Sequence, residues 1–370
     1  MTRAARHLFI TTDAVGGVWQ YTADLVAALK PLGYRTTIAV LGPSPTAEQR
    51  RAVTDVGDVR IIETGLPLDW TAKTPAEVVA SASAIAELST GIAPDVVQLH
   101  APALAVSGRF EAPVVAVAHS CVGTWWRAVN DGPLPLDLEW RAKMTAEGIA
   151  TADRVVAPSV SFADALSGCY RLSRRPLVVY NGRSTSCAPA GMHDFAFTAG
   201  RLWDKAKNAR VLDAVAAGLA IPFKAAGSVR GPHGEAVKLS NLHLMGQVEE
   251  EVLLSCLAAR PVFVSAARYE PFGLAVLEAA NAGCALVLSD IPTFRELWDG
   301  VATFVAPDDV AGFTSAIGEL VGDVSLRLES GKRAMLHARR YSPARMARDM
   351  AAIHDGLARS AAPLRRTAAA

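Results

Sequence analysis

The stretch Val262-Phe-Val-Ser-Ala-Ala-Arg-Tyr-Glu-Pro-Phe-Gly-Leu-Ala-Val-Leu-Glu-Ala-Ala-Asn-Ala-Gly-Cys-Ala-Leu-Val-Leu-Ser289 decides how this chain folds. Val262–Ser265 reads as a short buried strand. A loop holding Glu270, Pro271 and Gly273 follows, and Leu274–Ala282 then reads as a helix that stops near Gly283. Ala285–Ser289 is a second buried strand. Strand, helix and strand in this order form a parallel βαβ unit, in a sheet covered on both faces. The same stretch bears chemistry. A loop entering a helix presents backbone N–H groups without partners, which suit a phosphate or diphosphate. Gly273 allows close approach of a ligand to the backbone. Glu270 lies just before the helix and Glu278 about one turn inside it, so two carboxylates flank one ligand position. An acceptor carboxylate beside a phosphate site suits sugar hydroxyls. Either Glu alone reads as a solvated surface residue; with Gly273 between them, they read as a site.

Working outward, the alternation extends along nearly the whole chain. Strands are expected at Leu8–Thr12, Thr36–Leu41, Val59–Ile62, Val96–Leu99, Val114–Ala118, Val155–Ala157 and Leu177–Tyr180. Helices fill Val18–Pro31, Pro75–Thr90, Leu136–Ala150 and Val160–Ser167, the first with Tyr21, Leu25, Ala28 and Leu32 on its apolar face. Residues 181–194 have no period and read as a linker. The pattern then restarts, with strands Phe195–Ala199, Pro222–Ala226, Leu242–Met245 and Ala302–Val305 and helices Asn208–Leu219, Glu249–Leu257 and Val310–Val321. Two Rossmann-like α/β domains result, at 1–182 and 183–342, followed by a basic helix and tail at 343–370. In that tail Met346, Met350, Ile353 and Leu357 share one helical face. Such a stripe docks either on the first domain or, as the sharper alternative, on a membrane surface.

Composition removes several classes of function. The 370 residues are 51% hydrophobic and 20% charged, which is globular rather than disordered. Net charge is +1, so no broadly basic surface for nucleic acid is implied. That value is a cancellation: residues 327–370 hold ten Lys and Arg against three acids, and the rest of the chain holds 27 against 33. Apolar runs are far shorter than the roughly 20 residues of a spanning helix. The five cysteines, Cys121, Cys169, Cys187, Cys256 and Cys284, show no CxxC spacing, so a reducing cytoplasmic setting is expected. No Asp-x-Asp, Gly-x-Gly-x-x-Gly or Walker-type phosphate loop is present.

Glu270 and Glu278 match the Glu-x7-Glu signature of retaining nucleotide-sugar glycosyltransferases of the GT-B fold, and the chain resembles glycosyltransferase family 4 over nearly its whole length. Gly16 and Gly17 look like that family's glycine loop near the donor diphosphate. Ala152–Ser159 and Val179–Gly182 are similar to its approach to the linker, Gly200-Arg-Leu to the start of its basic donor loop, and Ser289–Glu296 to the segment after the signature helix. The resemblance implies that Arg201 and a lysine neutralise the departing diphosphate without metal or other cofactor. The usual spacing falls on Ala206, so Lys207 is preferred and Lys205 is the alternative. It further implies ribose contact by Glu278, donor contact by Phe272, Gly273 and Leu274, and base recognition around Gly246 to Val248.

His119 closes the apolar run Val114–Ala118, at the strand end where open α/β sheets bind ligands. A lone histidine there is as often structural; the resemblance implies contact with the transferred sugar. Trp125, Trp126 and Arg127 follow closely, and Asp13 and Trp19 flank the glycine loop. All five are candidates for the acceptor side, with ordinary packing as the alternative. The expected partners are a nucleotide-diphosphate hexose and a hydroxyl acceptor. Domain closure over the linker would exclude water from the donor. A non-hydrolysing nucleotide-sugar epimerase and a non-catalytic sugar-nucleotide binder are the rival readings.

Overall fold

The computed structural model describes residues 6–185 and 191–368; Cys187 lies outside them. The chain forms two compact units, one of Met1–Trp126, Gly132–Gly182 and Pro343–Ala370, the other of Arg127–Asp131 and Arg183–Ser342.

The first unit is built on a seven-stranded parallel sheet. Its strands are β1 (Arg6–Asp13), β2 (Tyr34–Leu41), β3 (Val59–Glu63), β4 (Val96–Leu99), β5 (Val114–Val117), β6 (Arg154–Ala157) and β7 (Leu177–Val178), in the order β3-β2-β1-β4-β5-β6-β7. Ile10 of β1 pairs with Ile38 of β2 on one side and Gln98 of β4 on the other. Every residue of β4 and β5 is buried, as parallel strands covered on both faces require. The second unit holds a six-stranded sheet of β8 (Ala196–Ala199), β9 (Phe223–Ala226), β10 (His243–Gly246), β11 (Val262–Ser265), β12 (Ala285–Ser289) and β13 (Thr303–Val305), ordered β10-β9-β8-β11-β12-β13. Both sheets therefore reverse their strand order once, between β1 and β4 and between β8 and β11. Outside the carboxyl ends of the strands at such a reversal lies the natural ligand crevice of a doubly wound sheet.

The C-terminal helix Pro343–Ala368 belongs to the first unit. Met346, Ala347, Met350 and Leu357 are buried in one apolar cluster with Leu8, Ile10, Tyr21, Leu25 and Val26, and Ile353 packs against it. The stripe is thus occupied by the first unit's own core. No helix of the described residues is long and apolar enough to cross a membrane.

Several elements differ from the sequence expectation. The helix after β1 runs Gly17–Leu29, and Leu32 is 44% exposed rather than on the apolar face. Pro31 sits in a 3-10 turn, Lys30–Leu32, closed by Gly33 at φ 83°, and this turn rotates Leu32 outward. The basic segment after Arg327 spans two helices, Val324–Ala338 and Pro343–Ala368. Val324–Ala338 packs in the second unit, where Arg327 is 2% exposed and paired with Asp194 at 2.6 Å. Helices Ala47–Thr54, Val122–Val129 and Pro292–Trp298 add to the expected set.

Candidate active site

The carboxyl ends of β8 and β11 bring Lys207, Glu270 and Gly273 together. β8 runs into Gly200, whose φ of 152° favours glycine. Its carbonyl oxygen would lie 1.8 Å from a Cβ added at Gly227, so the turns after β8 and β9 meet backbone to backbone. From Gly200 the chain passes Arg201 and enters the 3-10 turn Lys205–Lys207, capped by the Asp204 carboxylate, which accepts from Ala206 N–H at 2.9 Å. β11 runs into the loop holding Glu270. The Arg268 amide donates to the Ala206 carbonyl at 2.9 Å, which ties the two loops to each other.

Across that tie, Lys207 Nζ is ion-paired with the Glu270 carboxylate, both side chains being largely buried. Lys205, two residues earlier, is exposed, whereas Ala206 is buried in the turn. A 3-10 turn advances about 120° per residue, so Lys205 and Lys207 face different ways. Arg201 is 57% exposed and held by Asp204 at 3.2 Å. Beside Glu270, Gly273 adopts φ 93° and starts the helix Leu274–Asn281 without any side-chain cap. A Cβ there would lie 3.1 Å from Phe294 and 3.3 Å from Glu270, so glycine serves both the backbone turn and the space beside the carboxylate. Gly200, Lys207, Glu270, Gly273 and Ala275 line one small pocket. Phe272 is 3% exposed and packs edge-on against Tyr341, so its side chain offers no surface to a ligand. Leu274 and Val248 are half-buried.

Glu278 points its Oε1 at Nε of Arg183, 2.9 Å away, and Arg183 also reaches Glu250 at 2.5 Å. Arg183 is 7% exposed. The Asn281 side chain donates to the Arg183 carbonyl at 2.9 Å, which fixes the backbone of this arginine on the same helix. Sequence reading missed Arg183. Its only signal is a charged residue next to Gly182 in the Val179–Gly182 motif. Gly227 was missed as well, since its need for glycine arises from contact with a strand end 27 residues away.

In the first unit, Asp13 ends β1 and its Oδ1 accepts from Val15 N–H at 2.8 Å. Gly16 and Gly17 are exposed at the start of the following helix, which has no side-chain cap. Trp19 departs from expectation. It is 4% exposed within the apolar core, because position 19 falls on the sheet-facing side of the helix with Thr22 and Val26, and it offers no surface to an acceptor. His119 follows β5. Its Nε2 is buried and has no hydrogen-bond partner, and burial lowers its pKa to about 4, so the ring is neutral. Trp125 and Trp126 lie on the helix Val122–Val129 with centroids 6.2 Å apart, both half-buried. Arg127 is exposed and falls in the short segment grouped with the second unit. Donor candidates other than Gly16 and Gly17 thus gather in the second unit, whereas His119, Asp13 and the tryptophans belong to the first. Among the described residues no group of three or more His, Cys, Asp or Glu side chains is placed to hold a metal ion.

The model for Glycosyltransferase Family 4 matches residues 15–186, and that for Glycosyl transferases group 1 matches residues 193–323. The chain is a family 4 glycosyltransferase of the GT-B fold. Glycogen synthase of Mycobacterium tuberculosis is 40% identical to it over 81 residues, 21% of this chain and 20% of that protein, so the match spans about a fifth of the relative's length. Sucrose-phosphate synthase from Thermosynechococcus elongatus superimposes with a TM-score of 0.78 at 16% identity, covering 95% of this glycosyltransferase and 99% of that chain. Anabaena HepE, solved in complex with UDP and glucose, superimposes with a TM-score of 0.70 at 16% identity over 95% and 100% of the two chains. At these identities the structural likeness establishes the fold.

Proposed function

We propose that this glycosyltransferase moves a hexose from a UDP- or GDP-sugar to a hydroxyl acceptor with retention of anomeric configuration and without metal. The observation that carries the reading is the Lys207–Glu270 pair beside the uncapped helix at Gly273, at the strand-order reversal of the second unit. On donor binding Lys207 exchanges Glu270 for the diphosphate, and Glu270, released, accepts from hexose hydroxyls. Lys207, Arg201 and the first amides of the helix then meet negative charge as it develops on the leaving group, in groups already held in place. Glu278, oriented by Arg183, contacts the ribose hydroxyls. His119 Nε2, buried and without a partner, is suited to a hydroxyl of the transferred hexose on the acceptor side. Retention follows a front-face path in which the diphosphate helps take the acceptor proton. The complex of HepE with UDP and glucose supports a nucleoside diphosphate as leaving group. The setting is cytoplasmic, and the product a polysaccharide, glycolipid or glycoside.

The test is turnover of Glu270→Ala and Arg201→Ala across a panel of UDP- and GDP-hexoses with EDTA present. Both should lose most transfer; wild-type rates in both sink the assignment. An epimerase would release nucleotide without acceptor, and a non-catalytic binder would bind donor and never turn it over.

A further inference from the structure

A directional chain of buried polar side chains runs through the first unit, from the C-terminal helix to the neighbour of His119. His354 is fully buried, with Nε2 2.9 Å from Oε1 of Gln98. Gln98, also fully buried on β4, sets its Nε2 2.8 Å from Nε2 of His100. His100 Nδ1 lies 3.3 Å from the Thr22 hydroxyl. Thr22 donates its one hydrogen to the Val18 carbonyl at 2.8 Å and lies 2.8 Å from the Thr12 hydroxyl.

Since the Thr22 hydrogen is committed to Val18, His100 Nδ1 must be the donor toward Thr22. His100 Nε2 is then bare and accepts from the amide of Gln98, whose oxygen is left to accept from His354. His354 therefore carries its proton on Nε2, and its Nδ1, buried without a partner, is bare. The far end meets His119. The His100 ring stands edge-on to His119 with centroids 4.8 Å apart at 83°, and Tyr21 packs edge-on against both, at 5.1 and 4.6 Å. Burial keeps all three imidazoles neutral: His119 and His354 are lowered to about 4 and His100 well below the ordinary range. Around His354 stand the Tyr34 ring at 5.9 Å and Asp355, itself bonded to Arg6 at 2.5 Å and to the Tyr34 hydroxyl at 3.0 Å.

We propose that His354 is a positioning residue for His119, acting through Gln98 and His100 to fix the tautomer and ring plane that His119 packs against. The inference rests on His119 meeting the transferred hexose. It makes the C-terminal helix part of the catalytic scaffold of the first unit, in addition to its apolar docking role. Without a donor at position 354, Gln98 keeps only the Tyr21 hydroxyl and His100 as side-chain partners, and its amide can turn over and present oxygen to His100, which reverses the chain.

The experiment begins on the full chain without donor or acceptor. Long-range proton–nitrogen NMR correlations should show His354 protonated on Nε2 and His100 on Nδ1. His354→Phe should convert His100 to mixed tautomers and move the His119 titration by about half a pH unit or more. His354→Gln, whose amide still donates to Gln98, should restore both. In turnover, His354→Phe should lower kcat about tenfold with donor KM within about twofold, and His354→Gln should recover most of it. If the Phe variant does not fold, Gln98→Met cuts the same chain and is read in the same way. An unchanged His100 tautomer with an unchanged His119 titration overturns the proposal, and so does a loss of turnover that His354→Gln leaves unrepaired. Should the wild type show no transfer with any donor, the imidazole responses still decide this coupling, and the transferase reading is the one that falls.

Discussion

Glu270 and Lys207 face each other as an ion pair, which in the proposed function the donor opens, and this sets what each substitution should do. Glu270→Gln keeps the shape of the loop but removes the charge, and kcat should fall roughly a hundredfold in steady-state assays while the thermal midpoint barely moves. Lys207→Ala should damage turnover far more than Lys205→Ala, since only Lys207 faces the carboxylate; equal losses would reassign the donor cation. Arg183 makes a separate prediction. Arg183→Met leaves Glu278 buried without its cation, so urea unfolding of the second unit should weaken by roughly 3 kcal/mol and donor KM should rise. Glu270, Gly273 and Glu278 were legible because one βαβ unit carries all three within nine residues. Arg183 was not, because its partner lies 95 residues away and only the folded chain brings the two together.

Among the elements, the C-terminal helix was the most readable, and one of its residues the least. Met346, Met350, Ile353 and Leu357 repeat at helical spacing, and the first unit buries the stripe they form. Met350→Ala should therefore cost about 3 kcal/mol in denaturant unfolding, as for other large-to-small changes at fully buried sites. His354 sits on the same helix as a polar residue within an apolar face, and periodicity alone gives no reason for it. Its reason is Gln98, 256 residues earlier. The helix Ala47–Thr54 had a readable start, since Thr46 and Gln49 form a capping box with both bonds made. Its single buried residue, Val53, left too weak an apolar period to find it.

For the molecule as a whole, the doubly wound order of both sheets places the candidate residues where chemistry is expected: at the carboxyl ends of β8 and β11, and of β1 and β5. The buried histidines make stability depend on pH with a definite sign. Unfolded histidines titrate near 6.5, whereas His119 and His354 in the folded chain titrate near 4. The unfolded state thus binds more protons between those values, so stability is full above about pH 6.5 and is lost as the pH falls toward 4. Each of the two contributes on the order of 3 kcal/mol across that window. Urea midpoints at pH 7 and pH 5 should differ clearly, and His354→Phe should reduce the difference, leaving the part due to His119. The most direct test of the central claim is the NMR anomeric configuration of the freshly formed glycoside, made from an α-linked UDP- or GDP-hexose in the presence of EDTA. Retaining transfer yields an α-glycoside together with stoichiometric nucleoside diphosphate; a β-glycoside, or nucleotide release that needs no acceptor, would contradict it.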